Sequence, residues 1–401
     1  MPEVTSDLAG HDIICVSSTD WDVHWGTQQQ VLWRLAETNR VLFLEVPVSP
    51  LSPFTGLRKG TWVRQLRRWQ QGGLREEKRN LLIASPPPVL PFRYHKMTNR
   101  ITQNILAGYI ENLENRLGFK NPIVITYQAD SAALVKRLSA CLKIYFCTDD
   151  WAASERWWQP PDKVRAREMD LVDACDLVFA TSQRLAQRLK EFGKPSYFLS
   201  NAVDYDLFSR AQALFSPEEI CRLGKPVIGF AGIIHRHSFD ASLIHWLGHR
   251  HPDWTFLIVG KKEGREPDLT DLKKLPNVLF TGYKPLDMLP GYLAGMDVCL
   301  IPLPTTEWAK GAFSLKLFEY LATGKPVVTT WTEEYVPYEN LVRQARTYEE
   351  FEQCVEKALG ENCQELARKR MELARDNSWE NRITRFSQVI NDYLAEKHAS
   401  A

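Results

Sequence analysis

From Lys310 to Val328 the chain reads KGAFSLKLFEYLATGKPVV, which sets a lysine and a glutamate three residues apart where a loop turns into an apolar-periodic run. A helix that starts there presents unpaired N–H groups and the positive end of its dipole, and Lys316 adds a full charge, so an anion is favoured at that spot. A diphosphate suits it. Glu319, at i+3 from Lys316, shares nearly the same face, and one carboxylate accepts two hydroxyl protons at once, as a ribose diol supplies them. Phe313 and Ser314, in the loop entering the helix, are read with them as donor-side residues. The bland alternative is a solvated Lys and Glu on an amphipathic helix.

Such a site needs a frame, and the rest of the chain predicts one. Short β-branched apolar runs alternate with helical stretches, the pattern of parallel sheets covered by helices on both faces, so the fold class is α/β. The alternation occurs twice. Strands are predicted at 12–17, 41–45, 81–84, 123–127, 143–147, 177–180 and 197–199, with helices at 27–38, 97–117, 131–138, 161–174 and 182–191. The second series has strands at 226–231, 255–259, 278–280, 298–301 and 326–329, with helices at 239–249, 286–294, 315–323, 347–359 and 363–376. Gly324 suits a helix stop needing positive φ, and Pro326 an extended exit.

Two doubly wound, Rossmann-like domains are therefore expected at 1–204 and 205–378, followed by a terminal helix at 379–401. Ile383, Phe386, Val389, Ile390 and Tyr393 form a stripe on that helix that must pack on something. Asn377 with Glu380 three residues on reads as its capping box. Two such halves put the carboxyl ends of both sheets across one cleft, where open α/β sheets place their ligands.

A length of 401 residues fits about two domains, and 44% hydrophobic content is ample for packed cores. Fifty basic against 49 acidic residues leave a net charge of +1, which gives no global electrostatic reason to expect nucleic acid as a partner. Residues 1–7 show no basic stretch leading into an apolar run, and no segment approaches the roughly 18 apolar residues of a membrane span. A cytoplasmic chain is the expectation. The eight cysteines are scattered, several inside apolar runs, without a Cys-x-x-Cys pair, and read as reduced thiols. His235 and His237 read as loop residues facing solvent or phosphate, so no metal site is expected.

Other residues expected at the cleft each carry a bland alternative. Gly26, beside Trp25 and Gln28, either permits close backbone approach to a ligand or is a plain loop glycine. Asp149 and Asp150, after a strand end, either orient or deprotonate an acceptor hydroxyl or cap the next helix. Tyr283 either covers a donor base or packs. Lys261 and Lys262 help neutralise a nucleotide or are solvated. Residues 57–79 carry eight cations against Glu76 and Glu77, with Trp62, Val63, Leu66 and Trp69 at helix-like spacing. That mix suits an interfacial helix on anionic lipid at the inner face of the plasma membrane, or a basic helix packed on the first domain.

The run Leu315 to Val328 resembles the donor-binding signature of family 4 glycosyltransferases with the GT-B fold, in particular teichuronic-acid and exopolysaccharide transferases. Asp20–Gln29, Phe146–Trp151, Ser200–Asp204 and Asn377–Glu380 are similar to further parts of that family. The resemblance implies a GT-B fold whose last helix crosses back to the first domain, and it assigns the nucleotide diphosphate to Lys316 and the ribose to Glu319. It further implies sugar transfer from a nucleoside-diphosphate-sugar to a glycan or lipid-linked acceptor, with retention and with neither metal nor cofactor. Three departures stand out. Gly311 occupies the position of the family's other glutamate. The sequence from Gly232 through His237 replaces a Gly-Arg-Leu pattern, leaving Gly232 and a shifted Arg236 as phosphate candidates. No histidine follows the strand at 123–127. A sugar-nucleotide epimerase or phosphorylase on the same fold, or a non-catalytic nucleotide-sugar binding protein, remain the alternatives.

Overall fold

The computed structural model describes residues 8–23, 25–49, 59–91, 95–153, 160–213, 216–262, 267–361 and 363–399. The reading of residues 1–7, His24 of the first-loop motif and positions 57–58 of the basic segment lie outside them, as do the side chains of 59–62, Trp62 included. The chain divides into two compact units, one of Met1–Ser200 with Arg382–Ala401, the other of Asn201–Asn381.

Unit 1 is built on eight strands: β1 (Asp12–Val16), β2 (Arg40–Leu44), β3 (Leu74–Lys78), β4 (Leu81–Ala84), β5 (Ile123–Thr126), β6 (Leu142–Cys147), β7 (Leu177–Ala180) and β8 (Ser196–Phe198). Their order is β3-β4-β2-β1-β5-β6-β7-β8. Every neighbouring pair is parallel except β3 with β4. The central strands are apolar along their length because helices cover both faces of the sheet. The helices used below are α1 (Thr27–Leu35), α2 (Lys59–Gln70), α3 (Lys96–Leu117), α4 (Pro161–Ala174) and α5 (Gln183–Lys190).

The basic segment thus folds in two ways. Its first half is the expected helix, α2, and its second half is the edge strand β3, which sequence periodicity did not reveal. Its LREEK sequence suits an edge, where charge discourages pairing with another chain. Arg68 and Arg75 are also not spread over a surface: both reach the buried Glu45, at 3.4 and 3.2 Å, and both bind Asp22, at 2.6 and 3.3 Å.

Unit 2 has six parallel strands, β9 (Val227–Ala231), β10 (Thr255–Val259), β11 (Val278–Gly282), β12 (Val298–Ile301), β13 (Val327–Thr330) and β14 (Val342–Ala345), in the order β11-β10-β9-β12-β13-β14. Its helices include α6 (Ala241–Arg250), α7 (Lys316–Ala322) and α8 (Gln364–Asp376). Gly324 ends α7's turn at φ +75, as the sequence required.

The last helix, α9 (Trp379–Ala399), belongs to unit 1 from Arg382 onward. Ile383, Phe386 and Ile390 of its stripe are buried there, with Val389 and Tyr393 half-buried, and the Phe386 ring centre lies 4.7 Å from that of Phe179 and 5.8 Å from that of Phe146. The predicted capping box is corrected. The Asn377 side chain donates to the carbonyl of Leu373 at 2.8 Å and so closes α8, while Ser378 Oγ accepts from Asn381 N–H at 3.3 Å to open α9. Among the described residues no helix is long and apolar enough to cross a membrane.

Candidate active site

In unit 2 the strand order reverses between β9 and β12, and a doubly wound sheet takes its ligand at the carboxyl ends beside such a reversal. Gly232 directly follows β9 and Gly260 directly follows β10, at φ +153 and +146. A β-carbon on Gly260 would run into the carbonyl oxygen of Gly232, and one on Gly232 would run into Lys316 Cε. Glycine here is therefore what lets the first side chain of α7 lie along the end of the sheet.

Lys316 and Glu319 are half-buried on α7. Lys316 Nζ sits 5.2 Å from the centroid of the Phe230 ring. Neither its ammonium nor the Glu319 carboxylate has a hydrogen-bond or salt-bridge partner among the described residues. Burial pushes the Lys316 pKa down, opposed by the charge of Glu319, and pushes Glu319 up to about 7, opposed by Lys316. A cation and a carboxylate are thus held at the strand ends with their polar capacity unspent.

The support beneath them is rigid. Tyr320 donates to the carbonyl of Ala231 at 3.0 Å and accepts from its N–H at 2.8 Å, pinning α7 to β9. The Ser314 N–H donates to Tyr335 Oη at 3.0 Å, Ser314 Oγ accepts from Lys316 N–H at 3.3 Å, and Asn201 donates to the carbonyl of Phe313 at 2.6 Å. Phe313 is a correction: its ring is buried in the core, 5.6 Å from Phe318 and 5.5 Å from Tyr335, so it anchors the loop and offers no face to a donor. Sequence reasoning also missed Phe230, Tyr320 and Tyr335. Gly260 had a visible signal, since it ends β10 as Gly232 ends β9.

Arg236 is half-buried in the turn after β9, and Tyr283 is exposed just past β11 with Lys261 Nζ 5.7 Å from its ring centre. Glu307 is exposed and paired with Lys310, and Gly311 closes that short turn of helix, so no carboxylate stands in for the missing glutamate there.

In unit 1, Asp150 accepts from the N–H groups of Ala152 and Ala153 at 3.1 and 3.2 Å and lies 3.9 Å from Arg188, so its carboxylate fastens the turn at residues 151–153. Asp149 beside it is half-buried. Gly26 opens α1 with extended backbone at φ −112, a conformation open to any residue, and its N–H donates to Gln29 at 3.2 Å. A third acid emerges in the same unit. Asp20, which accepts from Gln65, is pushed up to about 6, first by burial and then by the charge of Glu45.

A model of the family described as "Glycosyl transferases group 1" matches residues 225–361, the span that holds this site. The chain is also 30% identical over 284 residues to the teichuronic acid biosynthesis glycosyltransferase TuaH of Bacillus subtilis (strain 168), covering 64% of this chain and 68% of that one. The chain belongs to the group 1 glycosyltransferases. A 2-deoxystreptamine glucosyltransferase of Streptomyces kanamyceticus is 33% identical to this glycosyltransferase over 144 residues, 32% of this chain and 34% of that one. Among solved structures, sucrose-phosphate synthase from Thermosynechococcus elongatus aligns with TM-score 0.71 at 14% identity, covering 96% of this chain and 100% of that one. Anabaena HepE in complex with UDP and glucose aligns with TM-score 0.63 at 15% identity, covering 96% and 99%. The glycosyltransferase therefore has the GT-B fold that the sequence implied.

Proposed function

We propose that this glycosyltransferase moves a sugar from a nucleoside-diphosphate-sugar to a hydroxyl of a glycan or lipid-linked acceptor, with retention and without a metal, at the cytoplasmic face of a membrane. The observation that carries the donor assignment is the unpartnered Lys316 and Glu319 at the strand reversal of unit 2. As the bond from the anomeric carbon to the diphosphate breaks, negative charge grows on the leaving oxygens, and Lys316 supplies the compensating charge, joined by Arg236 from the turn after β9. Glu319 takes the two ribose hydroxyls, and Tyr283 covers the base. HepE, crystallised with UDP and glucose, supports the donor class. Asp149 is the acid left to orient the acceptor hydroxyl. Residues 57–79 contribute a basic face toward anionic lipid through the cations that Asp22, Glu45 and Glu37 do not engage.

Incubation with UDP-, GDP-, ADP- and dTDP-sugars tests this. One of them raises the unfolding midpoint by mass action, and nucleoside diphosphate release is stimulated by an acceptor. Product NMR gives the anomeric configuration, and turnover survives a chelator. An isomerised donor would instead mark an epimerase, and binding without turnover a binding protein.

A further inference from the structure

We infer that the amino-terminal half of α3, bordered by α2, is a docking surface for an anionic lipid bilayer. The inference deepens the lipid-linked reading of the acceptor and rests on it. Met97, Ile101 and Ile105 recur every four residues on α3 and are 77%, 43% and 39% exposed, so they stand in one row on its outer face. The opposite face, Thr102, Gln103, Leu106 and Ile110, is buried. Single exposed apolar residues need no explanation, but a row of large ones marks a contact surface.

The row has a border. Tyr109, one turn beyond Ile105, donates to the carbonyls of Gly73 and Ser85 at 3.4 and 3.2 Å. Gly73 follows the exposed Trp69 at the end of α2, and Val63, six residues earlier on that helix, is exposed as well. Leu90, just ahead of α3, is also exposed.

Charge decides the occupant. Residues 59–70 and 96–110 contain no acidic residue and, apart from Arg68, which Asp22 and Glu45 engage, hold Lys59, Arg64, Arg67, Lys96 and Arg100. Arg67, Lys96 and Arg100 are exposed. Lys96 is the first residue of α3, where the helix dipole disfavours a cation unless an anion sits near it. Apolar tips at the acyl boundary with cations at headgroup depth are what an interfacial helix requires. Sequence patterning put the docking helix at 57–79 because its tryptophans are conspicuous. In the fold two arginines of that segment are consumed by Glu45 and Asp22, and the apolar row lies on α3.

The placement has a use. The Asn99 side chain of α3 donates to Asp130 at 3.4 Å, in the loop after β5, so the row begins at the carboxyl end of the unit 1 sheet. A bilayer there presents a lipid-borne hydroxyl beside the strand ends.

The test is co-sedimentation of the full chain with vesicles of phosphatidylcholine alone or with about 30% phosphatidylglycerol. The chain is expected to bind the anionic vesicles and not the neutral ones. Met97→Asp with Ile101→Asp lowers partitioning about ten-fold or more, and Lys96→Gln with Arg100→Gln removes the preference for anionic lipid. All four side chains are exposed, and an unchanged unfolding midpoint confirms that the variants fold. Absence of vesicle binding, or binding untouched by the double Asp variant, overturns the inference. So does a dimer in ultracentrifugation that Ile101→Asp dissociates while lipid has no effect. Nucleoside diphosphate release with a soluble acceptor, measured on the same variants, separates the two readings. A failed docking surface leaves that release intact, whereas a failed transferase reading leaves lipid binding without it.

Discussion

The carboxyl ends of the two sheets treat charge in opposite ways. In unit 1 the buried Glu45 holds Arg68 and Arg75, and Asp22 shares both. Further along the same sheet the fully buried Glu168 of α4 binds Arg188 of α5 at 2.6 Å and accepts from Tyr145 at 2.8 Å. In unit 2 Lys316 and Glu319 are half-buried and unmatched. A charge withdrawn from water without a partner is costly, and a fold carries that cost where a ligand will supply the missing partner. The charges of Glu45 and Glu168 are thus architectural, and those of Lys316 and Glu319 are held in reserve for a donor.

The largest expected effect breaks the architectural side. Arg188→Ala leaves Glu168 buried without its cation, which costs about 3–5 kcal/mol. Denaturant unfolding should show that loss, while calorimetric donor affinity, which depends on unit 2, stays within about two-fold. A loss below about 1 kcal/mol would mean that the pair is not structural and that the contrast is false.

Lys316→Ala acts on the other side. Removing a charged donor to a diphosphate should weaken nucleotide-sugar binding by about 3 kcal/mol, or more than a hundred-fold, by calorimetry. The unfolding midpoint without ligand should change little, because relief of a half-buried cation is offset by the loss of its attraction to Glu319. A fall in stability with donor affinity unchanged would move Lys316 into the architectural class.

Legibility in the sequence followed the same divide. The parallel strands were readable because burial on both faces leaves uninterrupted apolar runs, as in Asp12–Val16 and Val298–Ile301. Two of the four edge strands were not: LREEK of β3 and VRQA of β14 carry charged and polar residues at half-exposed positions, and no periodicity marks them. Lys316 and Glu319 were readable because their spacing is local. The residues that fix their loop, Asn201 and Tyr335, are brought to it from elsewhere in the chain, and nothing in pattern or spacing reports such a contact. Phe313 shows the same limit, since a loop aromatic reads alike whether it faces a ligand or the core.

Glu319 sharpens the contrast through pH. Its folded pKa of about 7 lies above the ordinary glutamate value of 4.5, so the folded chain holds that proton more tightly than the unfolded one. Its contribution to stability therefore falls as pH rises from the ordinary carboxylate range through about 7. Donor binding runs the other way, because the ionised carboxylate accepts both hydroxyls. Affinity should rise roughly ten-fold from about pH 6 to about pH 8. Glu319→Gln should be several-fold weaker at the upper end and nearly flat across that window. A wild-type profile flat across it would remove Glu319 from the donor site.

The smallest effect bears on Asp150, the acid in unit 1 whose two readings differ most. As the anchor of its turn it accepts from Ala152 and Ala153, and Asp150→Ala should cost about 1 kcal/mol of stability with transfer kept within about three-fold. As an acceptor-orienting group it would instead lower kcat by about a hundred-fold or more at little cost in stability. Asp149→Asn, compared in the same assay, should itself lower transfer, because Asp149 is the acid proposed to orient the acceptor and makes neither of those bonds to Ala152 and Ala153. If Asp150→Ala alone abolishes transfer, a charge assigned here to architecture does chemistry, and the division between the two sheets no longer holds.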